Sequence, residues 1–346
     1  MRHLLYFIAF FLILSSCKTN PLSLSVTEPA EISVPAYMKK IGVINRSEPT
    51  EETKKLNKLD DILTGEGPEL DKAGAKEGLS GLADELRNNE RFTEVKPLDN
   101  VSLKTTAIGV FPAALDWPTV DKICKENNVD AIFSLELFDT DSKISYTALP
   151  STLSTPLGGI PVVEQEARMV TTVKMGWRIY DPKNRYVIDE HSNNENLTFT
   201  GRGLTPVAAA AGLIGRKDAV KQAANRAGHN YAGRILPYLI RVSREYYVKG
   251  NPDFTMAKRM ARTANWNNAG ELWKKETSNA SPKLAARACY NMAIVSEING
   301  DLDGAIDWAQ KAYETGGKRM AWNYVNVLKN RRIRNNRLQN QEDQAK

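Results

Sequence analysis

A cysteine stands directly behind the apolar segment at the start of the chain, in the stretch "LILSSCKTN" at residues 12–20. Arg2 supplies a positive charge ahead of this segment, and Leu4–Leu14 form an uncharged apolar run. A helix needs about 20 apolar residues to cross a bilayer, so this run is too short to span one and fits the core of an export signal. Residues 1–16 are therefore predicted to be a signal peptide that is removed, which leaves the Cys17 thiol at the start of the mature chain.

The residues Leu14-Ser15-Ser16-Cys17 resemble the lipobox of bacterial lipoproteins. In that family the cysteine thiol takes a diacylglycerol, the signal is cut before the cysteine, and the new amino terminus is acylated. Several acyl chains hold a protein on a membrane stably, whereas a single chain binds only marginally. The resemblance implies that Cys17 is the lipidation site and that the protein lies in the cell envelope, on the outer membrane of a Gram-negative bacterium. The alternative is an ordinary signal with a chance cysteine.

The rest of the sequence offers few side chains for metal binding or catalysis. After the predicted cleavage, and with Cys17 modified, the remaining candidates are Cys124, Cys289, His191 and His229, and no pair of them has the spacing of a metal site. The cysteines lie far apart in sequence among apolar neighbours, so we predict two buried free thiols, although an oxidising envelope would permit a disulfide.

One group of acid and base side chains is contiguous in sequence, at Asp189, Glu190 and His191. These residues lie on a predicted strand, where successive side chains point to opposite faces, so adjacency does not bring them together. We therefore expect no catalytic residues and no enzyme activity. We also expect no cofactor, no metal, no small-molecule substrate and no nucleic-acid partner.

Length and charge indicate two domains with a mildly basic surface. The chain has 346 residues, of which 42% are hydrophobic, which is comfortable for two cores. Loss of Arg2 with the signal leaves 46 Lys and Arg against 41 Asp and Glu, a net charge of +5. The stretch "KNRRIRNNR" at residues 329–337 carries much of this excess. Such a stretch can meet anionic lipid headgroups or an acidic partner, or it can simply be solvated.

The pattern of residues 36–248 predicts a mixed α/β domain with the order β-α-β-α-β-β-β-α. Its motifs "KKIGVI", "LADELR" and "VDAIFSLEL" precede a long predicted hairpin, and the last helix is predicted over residues 218–240. This order resembles a fold of bacterial envelope lipoproteins that occurs in curli-secretion-channel lipoproteins and in lipoprotein activators of penicillin-binding proteins. Two segments without periodicity, residues 146–165 and 199–218, are predicted to be loops, which are commonly functional at this length.

The carboxy-terminal third shows a helical repeat. Residues 286–316, "ARACYNMAIVSEINGDLDGAIDWAQKAYETG", resemble a tetratricopeptide repeat, with Ala305 as the small residue where two helices touch. A weaker copy places Ala269 at the same position, and a further half-unit can serve as a closing helix. Residues 249–335 are therefore predicted to form an all-α array. Residues 17–35 are predicted to be a lipidated tether and 336–346 a polar tail.

Three aromatic residues occupy the same position of the three first helices, namely Phe254, Tyr290 and Trp322. In the tetratricopeptide family this position lies toward a groove that binds peptides, while the alternative is packing against the neighbouring helix. The partner-binding residues predicted for the array are Phe254, Tyr290, Trp322, Arg287, Glu297 and Asn326.

Two functions follow from these patterns. The first is a lipid-anchored envelope scaffold or adaptor that holds a protein partner through the helical array. The second is an oligomeric secretion or envelope-assembly component built on the α/β domain.

Overall fold

The structure is a computed structural model that describes residues 18–48, 50, 68–105, 110–156 and 158–345. The predicted signal peptide and Cys17 lie outside these residues. The chain divides into two compact units: Ala30–Leu236 form the α/β unit, and the helical unit joins the described residues before Ala30 to Pro237–Gln341. Among the described residues, no helix has both the length and the apolar character that a membrane crossing requires.

One five-stranded mixed sheet forms the centre of the α/β unit, with the strand order β3-β2-β4-β5-β6. The strands are β2 Lys40–Asn45, β3 Glu94–Pro97, β4 Ala131–Thr155, β5 Gly158–Asp181 and β6 Tyr186–Gly203. Strand β2 runs parallel to β3 and β4, whereas β4, β5 and β6 are antiparallel to one another. The inner parts of the two central strands, residues 131–138 of β4 and 175–181 of β5, are buried on both faces, which is why most of their residues are apolar.

The helices described in this unit are α1 Pro68–Arg87, α2 Trp117–Asn127, α3 Pro206–Ala211 and α4 Arg216–Ile235. Helices α1 and α4 share a core with Met175 and Trp177 of β5, while α2 packs with Tyr180 in a second core. A Cβ at Gly228 of α4 would lie 1.9 Å from the carbonyl oxygen of Gly78 in α1, so glycine permits the close helix contact. The predicted fold class, a mixed sheet followed by a helical region, is confirmed.

The two predicted loops are largely regular structure. Strands β4 and β5 stay paired from Tyr146↔Ala167 to Thr155↔Gly158, so residues 146–156 and 158–165 form the outer part of a hairpin. Residues 199–203 complete β6, Pro206–Ala211 form α3, and α4 begins at Arg216. The prediction was wrong because the distal hairpin is exposed on both faces, so no buried face imposes the alternation by which strands are recognised.

The described residues of the helical unit form a two-stranded sheet and five helices. Strand β1 Thr19–Glu28 pairs with β7 Tyr238–Tyr247 along its full length in antiparallel register. The helices are α5 Pro252–Arg262, α6 Trp266–Glu276, α7 Pro282–Ile298, α8 Leu302–Gly316 and α9 Arg319–Ala345. Ala269 and Ala305, the predicted contact residues, are fully buried.

Three predicted boundaries differ from the structure. Residues 17–35 are not a tether throughout, because β1 lies within them and packs with the helical unit. The last helix of the α/β unit ends at Ile235 rather than at residue 240, and β7 follows it. The predicted polar tail continues α9, where Leu338 and Gln341 are buried.

Candidate functional site

The β4–β5 hairpin extends beyond the rest of the α/β sheet. Strand β2 pairs with β4 only as far as Leu135, and β6 pairs with β5 only as far as Gln165. Beyond Leu135, no described strand pairs with the outer edge of β4, which continues to Thr155. The distal hairpin, defined as residues 148–156 and 158–163, is therefore a two-stranded ribbon.

Large apolar side chains are exposed on this hairpin. The register places Ile144 and Tyr146 on one face together with Val163, with exposed fractions of 42%, 49% and 60%. Val207 of α3, which is 79% exposed, lies on the same side of the sheet, because α3 packs over Gly201 and Gly203 on that face. We call Ile144, Tyr146, Val163 and Val207 the hairpin surface.

A buried ion-pair network holds β4 at the point where it leaves β2. The carboxylate of Glu136 accepts hydrogen bonds from Arg46 Nη1 at 2.7 Å and from the Tyr180 hydroxyl at 2.7 Å. The Arg178 guanidinium lies 3.5 Å from the same carboxylate and donates to Glu190 at 2.6 Å. Burial, together with the charge of Glu136, raises the pKa of Tyr180 to about 12. The network fixes the base of the hairpin, so that the exposed part projects from a rigid support.

The structure separates the predicted partner-binding residues of the helical unit. Phe254 and Tyr290 are 0% and 4% exposed, so their rings are core and do not line an open surface. Trp322 is 49% exposed and contacts Tyr313 with ring centroids 5.4 Å apart. Asn326 is also exposed, one turn further along α9. The three aromatic residues thus differ in burial although they share a repeat position.

Glu297, also predicted to bind a partner, is instead the centre of a buried network. Its carboxylate accepts two hydrogen bonds from Arg244, at 2.8 and 2.9 Å, and one from the Tyr324 hydroxyl at 2.7 Å. Arg331 forms a further ion pair with it. Burial alone would raise the pKa of Glu297, but hydrogen bonds from Arg244 and Tyr324 and the arginine charges lower it overall. The network joins β7, α7 and α9, which is a structural role.

Arg287 is half-buried and donates from Nη1 to the carbonyl oxygen of Lys249 at 2.7 Å. Its guanidinium carbon lies 5.3 Å from the centre of the Tyr247 ring. Arg287 therefore links the end of β7 to α7, and these two contacts both lie within the helical unit.

The basic stretch at residues 329–337 lies on α9, and three of its arginines are in ion pairs. Arg331 pairs with Glu297, Arg332 with Asp303 and Arg334 with Glu28. These three arginines therefore form ion pairs within the helical unit.

Cys124 and Cys289 are buried free thiols, as predicted. Burial raises the pKa of Cys124, with the carboxylates of Asp121 and Asp130 adding to the effect, to about 12. Burial also raises the pKa of Cys289. Neither thiol is activated as a nucleophile at neutral pH. The part of the chain that the structure describes contains no cluster of three His, Cys, Asp or Glu residues that could hold a metal ion.

The described residues thus form two units, and the α/β unit carries a projecting β-hairpin with exposed apolar side chains. Residues 38–247, more than half of the chain, match the family described as Domain of unknown function (DUF8603), and the chain belongs to that family. Residues 255–330 match a second family model, Domain of unknown function (DUF6340). The two matched ranges fall close to the two predicted domains.

Solved structures show distant similarity. Two PelC dodecamers from Paraburkholderia phytofirmans, one of them a point variant, share 12% identity and cover 62% of this chain. This chain covers 99% and 98% of those chains, with TM-scores of 0.22 and 0.21. A neuraminyllactose-binding hemagglutinin homolog from Helicobacter pylori shares 13% identity, with 58% of this chain and 84% of that chain covered and a TM-score of 0.20. No curated protein matches the chain.

Proposed function

We propose that the protein is a lipid-anchored component of an envelope assembly, in which copies associate through the β4–β5 hairpin of the α/β unit. The observation that carries the proposal is the long outer edge of β4 beyond Leu135, which no described strand covers. An exposed strand edge presents a row of backbone N–H and C=O groups that can pair with another chain. Most soluble proteins blunt such edges, so a long one with exposed apolar neighbours points to an interaction.

The distal hairpin gives a second reason to expect a covering partner. A two-stranded hairpin is only marginally stable in water when nothing covers its faces. Ile144, Tyr146 and Val163 would leave water on association, and each fully buried apolar side chain of this size contributes about 1.5–3 kcal/mol. Association therefore stabilises both the contact and the hairpin itself.

A second copy of the chain is the partner that the geometry favours. An antiparallel strand edge is self-complementary, because a two-fold axis can place β4 of one copy beside β4 of another. In this arrangement the exposed residues of β4 approach another copy.

The envelope location in this proposal comes from the lipobox resemblance at Cys17. The assembly role needs no catalytic residue, cofactor or metal, and the proposed partner is a protein. Lipidation would hold the copies on one membrane, which raises their local concentration and favours contacts that are weak in solution.

The scaffold function, in which the helical array binds a protein partner, has less support. Phe254, Tyr290 and Glu297 are buried, so of the six residues predicted to bind a partner only Trp322 and Asn326 are exposed.

Site-specific photocrosslinking in cells tests the assembly function. A photoreactive residue at Thr147, which is exposed on β4, should yield a crosslinked species with twice the mass of the chain. The same residue at Lys125, which is exposed on α2 away from the hairpin, should yield none. Crosslinking of Thr147 to a different protein, or to nothing, would contradict the proposal.

A further inference from the structure

The amino termini of α5, α7 and α9 lie at one end of the helical unit. Helices α7 and α9 run parallel, because Tyr290 contacts Tyr324 and, further along both helices, Glu297 contacts Arg331. Helix α8 runs back to this end, since a Cβ at Gly316 would lie 2.6 Å from Ala286 near the start of α7.

The other helices and both strands share this arrangement. Helix α6 starts at the opposite end, where Asn267 accepts a hydrogen bond from Asn299 at the end of α7. Helix α6 therefore ends, and α5 begins, beside the start of α7. The end of β7 lies beside the start of α7, because Arg287 donates a hydrogen bond to the carbonyl oxygen of Lys249. The start of β1 lies at the same end, because the Val248 N–H donates to the carbonyl oxygen of Lys18.

Positive charge is concentrated at this end, which we call the basic end. Besides Lys18 and Arg287, its basic residues are Lys249, Lys274, Lys275, Lys283, Lys318 and Arg319, all exposed. The acidic residues placed here are fewer. Asp253 and Glu314 lie in terminal turns, Glu245 accepts a hydrogen bond from Thr19, and Glu276 is buried and bonded to Asn279.

The opposite end of the unit has a different charge pattern. It carries Asp301 and Asp303 at the start of α8, and Asp303 is paired with Arg332 of α9. The last turn of α5 contributes Arg259 and Arg262. The arginines of α9 at this end, Arg331, Arg332 and Arg334, are paired with Glu297, Asp303 and Glu28, so acids of the helical unit compensate their charges.

Two exposed aromatic side chains lie beside the basic end. Tyr313 in the last turns of α8 and Trp322 in the first turn of α9 are 38% and 49% exposed, with ring centroids 5.4 Å apart. Tyrosine and tryptophan rings favour the headgroup level of a bilayer, and lysines and arginines favour anionic headgroups. The combination fits a membrane surface better than a solvated face.

We propose that the basic end of the helical unit docks on a membrane surface that carries anionic lipid headgroups. Charge complementarity selects this partner, and the position of the chain start agrees with it. Cys17, the predicted lipidation site, is covalently next to Lys18, and consecutive Cα atoms are about 3.8 Å apart. An acyl anchor on Cys17 would thus enter the membrane beside the basic end. The docking surface lies on the helical unit and is independent of self-association through the α/β unit.

Headgroup quenching on reconstituted full-length protein tests this docking. The protein carries a dye at Ser278→Cys, beside the basic end, or at Thr263→Cys, at the opposite end. The vesicles contain phosphatidylcholine with or without phosphatidylglycerol, and some lipids bear a headgroup nitroxide. The dye at residue 278 should be quenched several-fold more than the dye at residue 263 in the anionic vesicles. High salt should remove the difference, because it screens exposed charges.

Matched charge variants identify the surface. A basic residue near an anionic surface contributes about 1 kcal/mol, so the pair Lys318→Gln and Arg319→Gln should lower the ratio of docked to undocked molecules about 30-fold. The pair Arg259→Gln and Arg262→Gln at the opposite end should leave this ratio unchanged.

Three outcomes would overturn the proposal. They are equal quenching at both dye positions, equal effects of both glutamine pairs, and binding to soluble heparin without quenching on vesicles, which would assign the surface to a soluble polyanion. A chain that proves not to be acylated is tested with the same vesicles by sedimentation. Binding that requires phosphatidylglycerol and falls in the Lys318→Gln and Arg319→Gln variant supports the proposal, and absence of binding overturns it.

Discussion

Replacement of Glu297 by alanine should lower the free energy of unfolding of the helical unit by about 3–5 kcal/mol, because it leaves buried arginines without their counter-charge. Arg244 and Arg331 are only 12% and 20% exposed, and both pair with this carboxylate. A domain is stabilised by about 5–15 kcal/mol in total, so the loss is a large share. Denaturant titration followed by circular dichroism measures it.

Asp303→Ala is the matched control for this prediction. Asp303 of α8 pairs with Arg332, which lies on α9 next to Arg331. Both side chains of this pair are exposed, Asp303 at 77% and Arg332 at 45%. An exposed pair contributes about 0–1 kcal/mol, so this variant should unfold almost as the wild type does. Equal losses of unfolding free energy in the two variants would show that the Glu297 network stabilises the helical unit no more than an exposed ion pair does.

The same network predicts a pH dependence. The pKa of Glu297 is lowered in the folded state relative to the unfolded state, where it is about 4.3. Its stabilisation is therefore fully present above about pH 4.3 and is lost as the pH falls through the lower folded-state pKa. Glu297→Gln lacks this contribution at every pH, so the stability difference between the wild type and this variant should narrow in acid.

The double substitution Tyr146→Asp and Val163→Asp should raise the dissociation constant for self-association about 100-fold or more. The change removes two exposed apolar side chains from the hairpin surface and places carboxylates there. Loss of central apolar side chains at an interface commonly costs about 1–2 kcal/mol each or more, and every 1.4 kcal/mol is a factor of ten. Sedimentation velocity over a range of protein concentrations measures the constant.

Tyr186→Asp is the control for the hairpin variant. Tyr186 is 45% exposed, close to the 49% of Tyr146, but it lies at the start of β6 beside the β5–β6 turn. This substitution should leave the dissociation constant unchanged. Thermal melts of both variants check that the α/β unit remains folded. An unchanged constant for the hairpin variant would remove the hairpin surface from the assembly contact.

The sequence predicted the α/β core well because its elements are buried on defined faces. The stretch "VDAIFSLEL" shows the apolar continuity of a central strand, and α2 shows its apolar face at Val120 and Ile123. The distal hairpin carries no such signal, since its two faces are both exposed. Strand β1 did show the signal, in the alternation of Leu22, Leu24 and Val26 with serines, but its partner β7 lies more than 200 residues away.

The binding residues of the helical unit were harder to predict than its helices. Repeat alignment identifies equivalent positions, but the burial of a position depends on what packs against it. Phe254 and Tyr290 are covered by neighbouring elements, whereas Trp322 lies on α9, after which the described chain has no further helix. Glu297 shows the same limit, because Arg244 and Arg331, which neutralise it, lie in other elements.

The most direct test of the assembly function is the molar mass of the full-length protein in detergent, measured by light scattering after size-exclusion chromatography. The account predicts a mass of two or more copies for the wild type and for Tyr186→Asp. It predicts a shift toward one copy for the Tyr146→Asp and Val163→Asp variant. A wild-type protein that stays at the mass of one copy at every concentration would contradict self-association through the hairpin.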